Sequence, residues 1–197
     1  MNDQDKAQSL IESGGMDAWI FWISKKTTLD AISTSAKAAL LKVSSSYDDL
    51  LLNPVKTRVG FNPFNITGVR EALNWIIDRE YMAKEIVQIG ATPRWTVFRP
   101  VAPDYVRNIA FMKDLESKYA YDLEKGKEAI ATALTKAGAK FVAGKWQYNN
   151  TPIVLKFLIR VGDERQPMGD YIASQLEKVG FTVERRYGTS ADASRLV

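Results

Sequence analysis

The sequence predicts an α/β protein in which a mixed sheet is flanked by helices. Three observations carry this reading. Segments with apolar residues at helical spacing alternate with short β-branched runs, the order that lays helices on a sheet. Residues 152–187 read as strand, helix and strand, a right-handed crossover between parallel strands. Composition is that of a folded globular chain, with 46% hydrophobic and 25% charged residues in a length of 197 that is ample for a core.

The elements follow in order. Residues 4–13 form a helix with Ala7, Leu10 and Ile11 on one face, ended by Gly14-Gly15. Residues 16–23, Met-Asp-Ala-Trp-Ile-Phe-Trp-Ile, read as a buried strand. A short helix over 28–35 and extended pieces at 39–43 and 47–52 come next. Pro63 and Gly68 punctuate a loop, and Thr67 is placed as an N-cap. Val69, Ala72, Leu73, Ile76 and Ile77 then share one face of a helix running from Gly68 to Ile89. Asp78-Arg79 reads as a surface pair on that helix, worth under about 1 kcal/mol.

Residues 91–121 hold Pro93, Pro100 and Pro103 among Trp95, Phe98, Tyr105, Phe111, Tyr119 and Tyr121. This predicts a long ordered loop packed by its aromatics. Asp122 caps a helix through Ala129, Ile130, Ala133, Leu134 and Ala137, closed by Gly138. A strand covers Pro152 to Val161. Asp163 or Gln166 starts the next helix, with Pro167 in its first turn and Met168, Ile172, Leu176 and Val179 facing the core. Gly180 ends it, and Phe181–Arg185 alternates as a final strand.

Several function classes drop out. The chain has no cysteine and no histidine, which removes disulfides, thiol nucleophiles, imidazole or thiolate metal sites and histidine-based triads. No phosphate loop or nucleophile elbow appears, so no cofactor and no catalytic residue is expected. The adjacent carboxylates Asp48-Asp49 and Asp163-Glu164 are the residues a small α/β enzyme would have to use, yet neighbours in a strand point to opposite faces. The net charge of +4 is spread along the chain, without the basic stripe of a nucleic-acid partner. No apolar run approaches the roughly 20 residues that span a bilayer. The polar opening Met1-Asn-Asp-Gln-Asp-Lys has no apolar signal core, so the chain is either cytosolic or lacks its native N-terminus.

The run Asn62-Pro-Phe-Asn-Ile-Thr-Gly-Val-Arg-Glu-Ala-Leu-Asn-Trp-Ile-Ile-Asp-Arg79 resembles the segment "Pro-Phe … Val-Arg-Gln-Ala-Leu … Ala-Ile-Asp-Arg" of the family 5 extracellular solute-binding proteins of ABC importers. These are the large dipeptide, oligopeptide and nickel receptors. Further likenesses follow in the family's order. Leu10–Ala18 is similar to "Leu-x-x-Gly-Glu-Ile-Asp-Ala", Leu51-Leu52-Asn53 to the strand ending in Phe-Asn, and Gly90–Pro93 to "Gly-x-Gly-x-Pro-Ala". Tyr121–Lys127 is similar to "Tyr-Asp-Pro-Glu-Lys-Ala-Lys" and Gln175–Glu184 to "Gln-Leu-Lys-Lys-Ile-Gly-Ile-x-Val-Glu". Gly15-Met16, Leu123 and Asn74-Trp75-Ile76 depart from the pattern and leave the ligand class open.

The resemblance implies the second lobe of a type II periplasmic-binding-protein-like fold. Residues 1–197 would be one α/β domain, the central part of that lobe, with the flanking lobe-one segments absent. It also implies a receptor that captures peptides or similar small solutes between two lobes and works with an ABC permease. Such a protein is extracellular or periplasmic, and membrane association would come through parts outside this chain. The other readings are an interaction protein that reuses the lobe without transport, and a small α/β enzyme.

Open α/β sheets bind ligand at strand ends, and three stretches fit. Tyr47 and Asp48 precede the Leu-Leu-Asn strand, Trp95 sits in the proline-rich turn, and Arg160–Arg165 joins a strand to a helix start. The ligand-contact candidates are Tyr47, Asp48, Trp95, Arg160, Glu164 and Arg165. By the resemblance, Arg165 falls where relatives face the ligand groove, and an arginine there can fork onto a peptide carboxylate. The plainer readings make Asp163 a helix cap, Trp95 a packing residue and Arg165 a solvated helix residue.

Overall fold

A computed structural model describes residues 4–20, 23, 26–41, 47–56, 60–88, 90–100, 102–189 and 191–192. Helix α1 (Gln4–Glu12) and helix α2 (Lys26–Thr34) are tied by the Thr28 hydroxyl, which donates to Asp5 at 3.0 Å. A 3₁₀ turn over Pro63–Asn65 leads into α3 (Thr67–Ile76), and α4 (Arg79–Tyr81) continues as a π-helical turn, Met82–Val87. Helices α5 (Pro103–Arg107), α6 (Ile109–Lys118) and α7 (Leu123–Lys136) follow. Strands β1 (Lys140–Val142), β2 (Lys145–Tyr148) and β3 (Thr151–Pro152) precede β4 (Val154–Arg160), α8 (Arg165–Lys178) and β5 (Thr182–Gly188).

The core lies where α3, α7 and α8 meet the strands. Val69, Ala72, Leu73 and Ile76 of α3 and Ile130 and Leu134 of α7 are buried together with Ile172, Leu176, Val179 and Phe181. Full burial of each large aliphatic stabilises by about 1.5–3 kcal/mol. Helix α7 approaches α3 closely because its first turn carries Gly126, where a Cβ would strike the side chains of Ile76 and Trp75. Trp75 fastens the neighbouring segment, since its indole N–H donates to the Lys118 carbonyl at 2.8 Å and its own carbonyl accepts from Asp122 N at 2.9 Å.

Strands β4 and β5 are parallel, in register from Val154 opposite Thr182 to Arg160 opposite Gly188, with α8 as the crossover. Strands β1, β2 and β3 form an antiparallel meander. The two ladders meet at Trp146. Its backbone N–H donates to Gly180 O at 3.0 Å, its indole to Val179 O at 2.9 Å, and its carbonyl accepts from Ile153 N at 2.9 Å. Gly180 ends α8 at φ 95°, and a Cβ there would collide with Phe141 and Trp146.

Much of the expected plan is present. Asp122 caps α7 by accepting from Lys125 N at 2.9 Å, Gly138 follows that helix at φ 88°, and the α8 core face is as expected. The meander was not predicted. Its two turns carry consecutive positive φ at Ala143-Gly144 (48° and 79°) and Asn149-Asn150 (50° and 60°), the signature of two-residue type I′ hairpins. Strand β4 consequently begins at Val154, and Pro152 belongs to the meander.

Other expectations are corrected. The single helix from Gly68 to Ile89 is broken at Ile77 (ψ 109°) and Asp78 (ψ 97°), and Ile89 lies outside the described residues. The Asp78 carboxylate accepts from Tyr81 N at 2.9 Å and its backbone N–H donates to the Tyr171 hydroxyl at 3.2 Å, so it caps a new helix. Asp78 and Arg79 are therefore no ion pair, because Arg79 turns back to Asn74. Ile66, not Thr67, holds the N-cap of α3, and the Thr67 hydroxyl accepts from Arg70 at 3.0 Å. The expected loop at 91–121 contains α5 and α6, with Pro103 in the first turn of α5. Of its aromatics, Tyr105 is buried, whereas Phe98, Phe111 and Tyr121 are exposed.

Met16–Ile20 form no strand, and Ile20 is 96% exposed; residues 21–22 lie outside the described set. Residues 39–41 and 47–52 likewise join no ladder, although Leu50 and Leu52 pack on the core, and residues 42–43 lie outside the described set. An apolar run supplies the side chains of a strand, but only a neighbouring chain segment supplies hydrogen-bond partners for its backbone.

Candidate ligand-contacting site

Where β4 ends, Gly162 turns the chain at φ 96° and α8 begins three residues later. Asp163 organises the turn. One carboxylate oxygen accepts from Arg165 N at 3.1 Å, a local turn contact and not the expected cap, since Glu164 holds the N-cap position of α8 without a side-chain capping bond. The other takes Arg160 Nη2 at 3.0 Å and Arg165 Nη1 at 2.9 Å. Arg165 also meets Glu164 at 3.5 Å and, through Nη2, Asp48 at 2.9 Å. Four of the six sequence candidates, Asp48, Arg160, Glu164 and Arg165, thus converge on one half-exposed cluster.

Its electrostatics are set by three carboxylates around two guanidiniums. Burial works against the Arg165 charge, and the nearby carboxylates of Asp48, Asp163 and Glu164 outweigh it, holding the group above the ordinary arginine range. Both terminal nitrogens of Arg165 already face carboxylates of the chain. An entering carboxylate would have to displace one of them, whereas an ammonium or another hydrogen-bond donor meets a cluster with surplus negative charge.

Tyr47 stands beside this cluster, exposed, with the Arg94 guanidinium 4.2 Å from its ring centroid. Trp95 is placed elsewhere. Its indole donates to the Tyr119 carbonyl at 3.1 Å, and its ring lies 5.9 Å from the Arg79 guanidinium carbon. It lines a cleft of about 330 Å³ with Ile77, Asp78, Arg79, Tyr119 and Tyr121. Arg94, which stacks on Tyr47, is the residue before Trp95, and its Nε donates to the Thr96 carbonyl at 2.8 Å. Sequence reading missed the hub role of Asp163, given there as a cap or one of an adjacent carboxylate pair, read Arg79 as half of a surface pair, and missed Arg94, whose partner Tyr47 is remote along the chain. No group of three acidic residues is arranged to hold a metal ion among the described residues.

The family model described as bacterial extracellular solute-binding proteins, family 5 Middle, matches residues 1–195. The chain belongs to that family. Solved structures agree with the family 5 fold. The oligopeptide-binding protein AppA from Bacillus subtilis, in complex with a nonapeptide, aligns at a TM-score of 0.63 and 19% identity. The mannohexaose-bound periplasmic oligopeptide-binding protein of Thermotoga maritima aligns at 0.62 and 20%. Each alignment covers 99% of this chain and 36% of the other. NikZ from Campylobacter jejuni, in complex with Ni(L-His), aligns at 0.50 and 19% identity, over 66% of this chain and 24% of NikZ. This family 5 chain therefore spans well under half the length of these relatives. No curated protein is similar enough to match it. Its type II periplasmic-binding-protein-like architecture explains the juxtaposition at the β4–α8 junction, since strand ends and helix starts share one edge of the fold.

Proposed function

We propose that this chain is the central part of the second lobe of a solute receptor, and that the complete receptor captures a peptide or similar small solute for an ABC permease. The observation that carries the reading is the family match over residues 1–195. Two relatives whose fold covers 99% of the chain hold elongated ligands, a nonapeptide and mannohexaose, which supports an extended solute. The role is capture without chemistry: the lobe offers one wall of a groove, and closure against the other lobe buries the solute. In this reading Tyr47, Asp48, Arg160, Glu164 and Arg165 face the solute at the β4–α8 junction, with the acidic surplus directed at its donor groups, and Trp95 lines a neighbouring cleft. No helix among the described residues is long and apolar enough to cross a membrane. Association with the membrane surface is assigned to parts outside this chain.

The test is the size and location of the native protein. An antibody against this chain should detect, in source cells separated into soluble, membrane and exported fractions, a band several times larger than 22.1 kDa outside the cytosol. A cytosolic band at the mass of the chain itself would sink the receptor reading.

A further inference from the structure

The cleft beside the α3–α4 break contains an unanswered charge. Arg79 is half-buried, and its guanidinium donates to the Asn74 carbonyl at 3.1 Å and to the Asn74 side-chain oxygen at 2.7 Å. Both acceptors are neutral. A guanidinium has five N–H donors, so three are left. The carboxylates that line the same cleft are engaged elsewhere. Asp78 accepts from Tyr81 N, Glu80 pairs with Lys84 at 2.9 Å, and Glu116 is held by Lys113 at 2.6 Å and by the Tyr105 hydroxyl. Burial pulls the Arg79 pKa below the ordinary arginine range, and no carboxylate among the described residues offsets it. A half-buried cation without an anion is unusual, because removing such a charge from water is costly unless it is paired. The walls around it are aromatic, with Trp95, Tyr119 and Tyr121 lining a volume of about 330 Å³, room for a small organic group.

We propose that this cleft is a carboxylate-binding subsite, in which Arg79 receives the carboxylate and the Trp95 and tyrosine rings flank the organic group attached to it. The planar guanidinium matches a carboxylate in two-point contact, and an aromatic wall beside the cation favours an aromatic or extended apolar substituent. The inference goes beyond the receptor reading and does not rest on it. The carboxylate can arrive on a free organic acid or on the C-terminus of a peptide, and these share the same chemistry.

Titrations of this chain followed by ¹H–¹⁵N NMR test the subsite, with the Trp95 indole resonance assigned through Trp95→Phe. The probes are phenylacetate and phenylacetamide, the tripeptide Gly-Gly-Phe as free acid and as C-terminal amide, and inorganic phosphate. The expected result is a saturable shift of the Trp95 indole with at least one of the acids, and binding about ten-fold weaker for the matching amide. Response to phenylacetate assigns the site to free organic acids, and response to the tripeptide acid alone assigns it to peptide termini. Equal response to acid and amide, a stronger response to phosphate, or no shift with either acid overturns the proposal. Arg79→Met should weaken the acid by about the same factor while Arg79→Lys retains part of the affinity. The acid–amide comparison uses the unchanged chain, so it decides the matter even if Arg79→Met fails to fold.

Discussion

At the scale of single residues, Arg185 and Glu177 form a two-point charge contact outside the candidate site. The two guanidinium nitrogens meet the two carboxylate oxygens at 2.7 and 2.9 Å, a fork-to-fork geometry across α8 and β5. The Arg185 hydrogen bonds hold Glu177 below the usual glutamate pKa, and the same bonds raise that of Arg185. A carboxylate with a depressed folded-state pKa stabilises the fold above its unfolded pKa of about 4.3 and loses that contribution as pH falls through the folded value. Glu177→Gln should therefore lower the urea midpoint at neutral pH, and the gap from the unchanged chain should close as pH falls below about 4. A gap that stays constant to about pH 3 would mean that ionisation of Glu177 plays no part. Residue chemistry of this kind was only partly legible. Asp163 was readable as a residue at a helix start, but Glu164 takes the N-cap position, and the grip of Asp163 on Arg160 and Arg165 depends on where the β4–α8 turn points them.

At the scale of elements, the break between α3 and α4 shapes the cleft proposed as a carboxylate subsite. It directs Arg79 back toward Asn74 and opens the cleft beside Trp95. The apolar spacing runs without interruption from Val69 to Ile77, so helical periodicity alone continues through the break. Two competing contacts win there: the Asp78 carboxylate caps the next turn, and the Tyr171 hydroxyl takes the backbone N–H that a continuous helix would have used. Asp78→Ala should cost about 1 kcal/mol in urea unfolding. Thr67→Ala, at a position that makes no capping bond, should stay within about 0.5 kcal/mol. Equal costs for the two would contradict this assignment of the caps. The missed meander belongs to this scale as well. Asn149-Asn150 suits a type I′ turn and Gly144 the second position of another, but Ala143 at φ 48° is no turn signal, and the strands around them are three, four and two residues long, too short for alternation to register.

For the whole molecule, structure is unevenly distributed. Helices α3, α7 and α8 with β4 and β5 enclose the core, while the described parts of residues 13–20 and 35–56 contribute no helix or strand. Ile20, Leu41, Leu51 and Val55 are between 64% and 96% exposed. Amide hydrogen exchange should follow this division. Amides of Ile130, Leu134, Ile172 and Leu176 should exchange at least about 100-fold more slowly than those of Ile20, Leu41 and Leu51. Comparable protection in both sets would show that the exposed segments are paired in solution. The exposed apolar side chains also fit the view that other parts of a longer receptor cover them, which the native-size immunoblot addresses directly.

The sequence by itself determined what depends on near neighbours: the buried faces of α7 and α8, the Asp122 cap, the stops at Gly138 and Gly180, the strand–helix–strand order of residues 154–188, and the motifs that place the chain in family 5. Those features follow from hydrogen bonds and contacts spanning a few residues, so they are written in local spacing. The tertiary structure alone decided the break at Asp78, the absence of a ladder at residues 16–20, the gathering of Asp48 onto Arg165 and the isolation of Arg79 in an aromatic cleft. Tyr171 at the break, Asp48 on Arg165 and Trp95 over Arg79 are all supplied from segments distant along the chain. Strand pairing, ion pairing and the burial of a charge are properties of what two segments do together, and no single segment carries them in its own periodicity.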